Sequence, residues 1–221
     1  MLPLRDDIPS ATRPTLTYLL IAANVLAFFW ELSGADVLAW TLVPARFTAD
    51  PAGNAVTVVT AMFLHGGWLH LLGNMLYLWI FGDNVEDRLG HGRYLLLYVA
   101  GGAAAALAQV AIAPDSRIPM LGASGAIASV LGAYIVLYPR ASVYTWVPIF
   151  LGIVRIPAVV WLGLWFALQL LSGVASLSAQ QSGGVAFFAH AGGFVAGVVL
   201  VKLLDRGPRW RPGARPLTTF P

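Results

Sequence analysis

Gly122-Ala123-Ser124-Gly125 stands at the mouth of an apolar run, residues 126–138 (AIASVLGAYIVLY), and the reading of that junction decides the fold. Outward from it the chain is apolar almost throughout. Of its 221 residues 58% are hydrophobic and 10% charged, and its mean hydropathy is +0.76. A soluble domain carries about 25% charged residues, so these values exclude that class. Six apolar stretches, residues 16–32, 69–81, 94–113, 126–138, 156–174 and 185–204, predict six membrane-spanning helices. The expected fold is therefore all-α: a polytopic six-helix bundle over residues 16–204, between an N-terminal arm (1–15) and a basic, Pro- and Arg-rich tail (205–221) expected to be disordered. About 20 apolar residues cross a hydrocarbon core, so the second and fourth stretches are short. Those two carry polar motifs.

Orientation follows from the thirteen Lys and Arg residues. With the N-terminus inside, the inner side collects Arg5, Arg13, Arg88, Arg93, Arg140, Arg155, Lys202, Arg206, Arg209, Arg211 and Arg215, and only Arg46 and Arg117 fall outside. Short loops rich in these residues stay cytoplasmic, which predicts a cytoplasmic N-terminus. The first apolar run lacks a small-residue cleavage signal and reads as a retained helix. The basic tail suits an anionic lipid surface, and no nucleic-acid partner is expected. There is no cysteine, hence no disulfide, thiol nucleophile or thiolate metal site.

In this topology the second, fourth and sixth spans run from outside to inside. His70 with Asn74, Ser124, and His190 all fall near their outer starts and so share a depth. Polar residues at membrane depth face a bundle interior or a wet cavity, so one outward-facing site is expected. A serine hydroxyl needs a base to become a nucleophile, and a neutral imidazole is suited to that near pH 7. Ser124 and His190 thus form the candidate pair. The nearest acid in the last three spans is Asp205 at the far end, so the expected arrangement is a Ser-His dyad.

An acyl-transfer oxyanion needs donors. Backbone N–H groups from Gly122 to Gly125, at a loop-to-helix junction, are one source. His70 and Asn74, four residues apart and on one helical face, are another. Gly125, Gly193 and Gly197 are expected at close helix contacts, and His65 in the loop or first turn leading to His70. Ser129 reads as a packing residue. Glu86, Asp87 and Arg88 read as a local charge group capping a helix end. Four histidines invite a metal, but no His-Glu-x-x-His spacing occurs, and neither metal nor cofactor is expected.

His65-Gly66-Gly67-Trp68-Leu69-His70-Leu71-Leu72-Gly73-Asn74, then Gly122-Ala123-Ser124-Gly125, then Ala189-His190-Ala191-Gly192-Gly193 with Gly197 resembles the rhomboid intramembrane serine proteases. The likeness covers the six-span core and includes Phe81-Gly82-Asp83-Asn84-Val85-Glu86-Asp87-Arg88-Leu89-Gly90. It implies Ser124 as nucleophile, His190 as general base, and His70, Asn74 and the Ser124 N–H as oxyanion hole. It also implies single-span membrane proteins as substrates, with lateral entry beside the fifth span, and a bacterial inner membrane as location. Several members carry a tyrosine one turn after the serine, packed on the histidine. Here Ala128 stands there, and Phe187 or Trp165 is expected to take its place. The first outer loop also lacks the Trp-Arg pair found in part of the family, with only Trp40 and Arg46 present and set apart. Two other classes remain open: an inactive substrate-binding scaffold and a small-molecule transporter, although no inverted repeat is seen.

Overall fold

The computed structural model describes residues 1–178 and 186–207. The expected disorder of the tail beyond residue 207, with Arg209, Arg211 and Arg215, lies outside them. In chain order, strand β1 (Leu2–Asp6) precedes helix α1 (Thr15–Leu32). Three short helices, α2 (Pro44–Ala49), α3 (Pro51–Asn54) and α4 (Thr57–Thr60), lead to α5 (Trp68–Leu89). Then come α6 (His91–Ile112), α7 (Ser124–Leu137), strands β2 (Ser142–Val147) and β3 (Gly152–Pro157), and helices α8 (Ala158–Ser178) and α9 (Phe187–Leu204).

Helices α1, α6, α8 and α9 are long and apolar enough to cross a membrane, and α5 joins the segment 51–63 across an 80° bend. The sixth, α7, has 14 residues. At 1.5 Å per residue it is only about 21 Å long, against a hydrocarbon core of roughly 30 Å. It is nevertheless the central helix, buried at every position from Ala126 to Tyr134, and α5, α6 and α9 pack around it. A helix apolar on all faces is stable only in such a place.

The helical reading holds, and a three-stranded antiparallel sheet, ordered β1-β2-β3, adds to it. Leu2 pairs with Trp146 and Arg5 with Tyr144, while Val143 pairs with Ile156 and Val147 with Gly152. The β-branched and aromatic run of β2 suits a strand. Its Val143, Thr145 and Val147 are buried, alternating with the more open Tyr144 and Trp146. The Arg5 guanidinium lies 4.2 Å from the centre of the Tyr144 ring.

The N-terminal arm is therefore built into the fold. Ser10 Oγ donates to Asp83 (2.7 Å), Asn84 Nδ2 donates to the Ile8 carbonyl (3.1 Å), and Asp87 accepts from the Ala11 N–H and the Thr12 hydroxyl. Glu86, 1% exposed, caps a helix other than its own. It accepts from the N–H groups of Leu16 (2.8 Å) and Thr17 (2.7 Å), two donors at the start of α1 that have no partner within that helix. His91 Nδ1 lies 2.5 Å from the same carboxylate. Arg88 forks onto Asp205 at 3.0 and 2.9 Å, tying the ends of α5 and α9. All of these contacts gather at the end of the bundle that carries the sheet.

Candidate active site

The opposite end holds Ser124, the first residue of α7, and the loop before it is pinned by backbone bonds. Leu42 and Met120 exchange N–H···O bonds of 3.1 and 2.7 Å, the Ala45 N–H donates to Ser116 (3.0 Å), and the Gly122 N–H donates to the Ala61 carbonyl (2.8 Å). That last bond engages the Gly122 N–H, so the expected oxyanion role of this group gives way to a conformational one. Gly122 has φ +125°, a region that L side chains rarely adopt. A Cβ there would also lie 2.7 Å from His70 Nε2. The glycine thus leaves the room that the His70 ring occupies. The N–H groups of the first α7 turn, beginning with Ser124, have no acceptor within the helix.

His190 lies in the first turn of α9, 9% exposed, with Nε2 2.8 Å from Ser124 Oγ. That spacing is set by how closely α7 and α9 approach. A Cβ on Gly193 would strike the Gly125 carbonyl oxygen, and one on Gly197 the Ser129 carbonyl oxygen. Gly125 in turn lies against Ala105 of α6, 2.8 Å from where its own Cβ would fall. Ser129 is a packing residue, fully buried, its hydroxyl donating to the carbonyls of Leu97 (3.1 Å) and Ala126 (2.9 Å).

His70, in the first turn of α5, accepts the Gly66 N–H at Nδ1 (3.3 Å). In the neutral ring the proton then resides on Nε2, the atom beside Gly122, so His70 presents a donor there. Asn74, one turn further on, is 8% exposed, and its Nδ2 has no hydrogen-bond partner among the described residues. A buried amide donor left unpaired is unfavourable unless something else accepts from it. His65 precedes the helix. Its N–H donates to Glu31 (2.9 Å) and its ring lies 5.1 Å from that of His70, edge-on at 66°, so it buttresses the donor histidine. A cavity of about 50 Å³ opens beside Ser124, lined by small or flexible side chains that include Met62, Gly102, Ala105, Ala126 and Met120.

Two supporting residues come from α8. Trp165 lies with its ring centre 6.0 Å from that of His190, tilted by 33°. Of the two expected substitutes for the missing tyrosine, Trp165 is the one on the imidazole, while Phe187 packs near Gly173 of α8. One turn beyond Trp165, Gln169 Oε1 lies 2.8 Å from His190 Nδ1. This amide is uncharged and so is not among the acids of the last three spans. Its sequence signal is a lone Gln within an apolar span, where a polar side chain needs a partner. Gln109 of α6 is similar, accepting the Ala189 N–H at 3.2 Å. Among the described residues no group of three or more His, Cys, Asp or Glu side chains is placed to hold a metal ion.

Fold and site together define a multi-pass membrane protein with a serine hydroxyl on an imidazole at one end of its helical bundle. The family model described as the Rhomboid domain matches residues 52–206. The chain belongs to the rhomboid family. It is similar to rhomboid protease GluP of Bacillus subtilis (strain 168), 39% identical over 134 residues covering 58% of this chain and 26% of the relative. It is similar to the mitochondrial rhomboid protein 1 of Saccharomyces cerevisiae, 30% identical over 192 residues, 83% of this chain and 51% of the relative. The putative rhomboid protease YdcA of Bacillus subtilis is 30% identical over 123 residues, 55% of this chain and 61% of the relative. The chain thus spans from about a quarter to under two thirds of the length of these relatives.

Proposed function

We propose that the chain is an intramembrane serine endopeptidase working through a Ser124–His190 dyad. The observation that carries this reading is the 2.8 Å approach of His190 Nε2 to Ser124 Oγ at the N-terminal end of α7. His190 Nε2 takes the serine proton as Oγ adds to the scissile carbonyl. The resulting oxyanion is held by the Ser124 N–H, His70 Nε2–H and Asn74 Nδ2–H. The same imidazole then protonates the leaving amine, and water, activated by His190, releases the acyl group from Ser124.

The substrates are single-span membrane proteins. A helical segment hides its carbonyls in hydrogen bonds and must locally unwind to be cut, so sites with helix-breaking residues are favoured. The 50 Å³ cavity beside Ser124 takes a small side chain next to the cut bond. α7 is too short to span the core, so at least one of its ends lies within membrane depth, and we take it to be the Ser124 end. The ends of the bundle differ in charge: Arg5, Arg13, Arg88, Arg93, Arg140, Arg155, Lys202 and Arg206 belong with the sheet, and Arg46 and Arg117 with the site. This asymmetry supports a cytoplasmic sheet and a site open to the outer face, in a membrane that we read as a bacterial cell membrane.

Wild type, Ser124→Ala and His190→Ala, each purified in detergent, are incubated with a single-span substrate bearing small residues near its outer end. Cleavage by wild type alone, with all three folded, is the expected result. Equal cleavage by the variants would overturn the dyad.

A further inference from the structure

Among the described residues no acid bonds to the Ser124–His190 pair, so the position of one proton on His190 must be set by another group. The imidazole can act as base only if Nε2, the atom facing Ser124 Oγ, carries no hydrogen in the resting state. A neutral imidazole has two tautomers, and the one with its proton on Nε2 presents a donor to the serine and cannot deprotonate it. Something must therefore hold the proton on Nδ1. The atom that faces Nδ1 is Gln169 Oε1, at 2.8 Å. An amide oxygen only accepts, so this contact selects the Nδ1–H tautomer and leaves the Nε2 lone pair aimed at Ser124. It also restrains rotation of the ring about the Cβ–Cγ bond, and Trp165, one helical turn earlier on α8, flanks the ring face.

We propose that Gln169 is the positioning residue of the site, a neutral third member that fixes the tautomer and orientation of His190; this rests on Ser124 and His190 being the catalytic pair. A carboxylate would hold the imidazole in the same tautomer, but an ionised carboxyl at membrane depth carries a large desolvation penalty. The amide supplies the acceptor without the charge. The dyad is then completed from α8, a helix other than the two that carry Ser124 and His190. Seating of α8 against α9 becomes a condition for a competent base.

The test is nitrogen NMR of protein labelled with ¹⁵N-histidine in detergent micelles, with the His190 signals assigned by their loss in His190→Ala. In the wild type the expected pattern is a protonated Nδ1 and an unprotonated Nε2. Gln169→Met keeps the length and volume of the side chain but removes the acceptor. It is expected to move both His190 shifts toward a tautomer average and to slow cleavage by about 10²-fold or more, since a mis-set tautomer in a serine protease triad has a still larger effect. Gln169→Glu, which retains an acceptor, is expected to restore the Nδ1–H pattern and to recover rate to within about tenfold of wild type. Unchanged His190 shifts in Gln169→Met, or a wild type with its proton on Nε2, would overturn the proposal. Failure of the dyad itself shows differently, as cleavage by Ser124→Ala, and leaves the tautomer readout interpretable.

Discussion

Gly122 is the residue on which the site turns, because its φ of +125° and the nearness of His70 Nε2, 2.7 Å from where a Cβ would fall, leave no room for any side chain. Gly122→Ala is expected to displace the His70 ring and to lower the cleavage rate far more than the melting temperature. Parallel rate and thermal-unfolding measurements check this. Asn74→Ala removes a donor that has no partner among the described residues. The expected loss is about 10²- to 10³-fold in kcat, as for other oxyanion donors, with stability unchanged or slightly raised. A mutant that unfolds, instead of slowing, would contradict an oxyanion role. At this scale the sequence carries a great deal. Ser124, His190, His70 and Asn74 are legible as unusual polar residues of shared depth in an apolar chain. Gln169 is not singled out by that reasoning, because an uncharged amide reads as a tolerated packing residue until the structure sets it against His190 Nδ1.

Among the elements, the α7–α9 contact governs the Ser124–His190 distance. Gly197→Ala would press a methyl group into the Ser129 carbonyl. It is expected to destabilise the protein by about 1–3 kcal/mol, the usual range for overpacking, and to separate the pair. Denaturation in mild detergent and the cleavage rate should fall together. At the other end, Glu86→Ala would leave the Leu16 and Thr17 N–H groups of α1 unpaired, at a cost of about 1–3 kcal/mol. It should leave the chemistry at Ser124 intact in the protein that remains folded. Helix positions are read well from hydropathy where a span is wholly apolar: 16–32 became Thr15–Leu32, and 126–138 became Ser124–Leu137. The second span, read as 69–81 from hydropathy, extends to Leu89, because its polar end, where Glu86, Asp87 and Arg88 were expected to cap a helix, is itself helical and binds the N-terminal arm, His91 and Asp205. Strands β2 and β3 stayed hidden for a related reason. Hydropathy reports burial without period, and a short hairpin beside a span merges with it, as Ile156 and Pro157 did.

Over the whole molecule, the sheet end is coupled to the bundle through Asp6 of β1, whose carboxylate accepts the Tyr134 hydroxyl of α7 at 2.5 Å. Burial raises its pKa from the ordinary 3.8 to about 6, against the opposing effect of the Tyr134 hydrogen bond. The folded protein then binds this proton more tightly than the unfolded chain does. The stability it contributes is complete below the unfolded value of 3.8 and is lost as pH rises through about 6. Asp205 works in the opposite sense. Its hydrogen bonds from Arg88 hold it below the usual carboxylate range, so the α5–α9 clamp contributes at neutral pH and weakens on acidification. Asp6→Asn is therefore expected to flatten the fall in melting temperature between pH 4 and 6 while leaving the acid loss in place. A wild-type profile that rises across that interval and is unchanged in Asp6→Asn would contradict this account.

Activation of Ser124 as a nucleophile by His190 is tested most directly by covalent labelling with a fluorophosphonate, mapped by mass spectrometry. The expected result is one adduct, on Ser124 of the wild type, absent in Ser124→Ala and strongly slowed in His190→Ala. A folded wild type that cleaves substrate yet carries its adduct on another residue, or labels equally fast without His190, would contradict it.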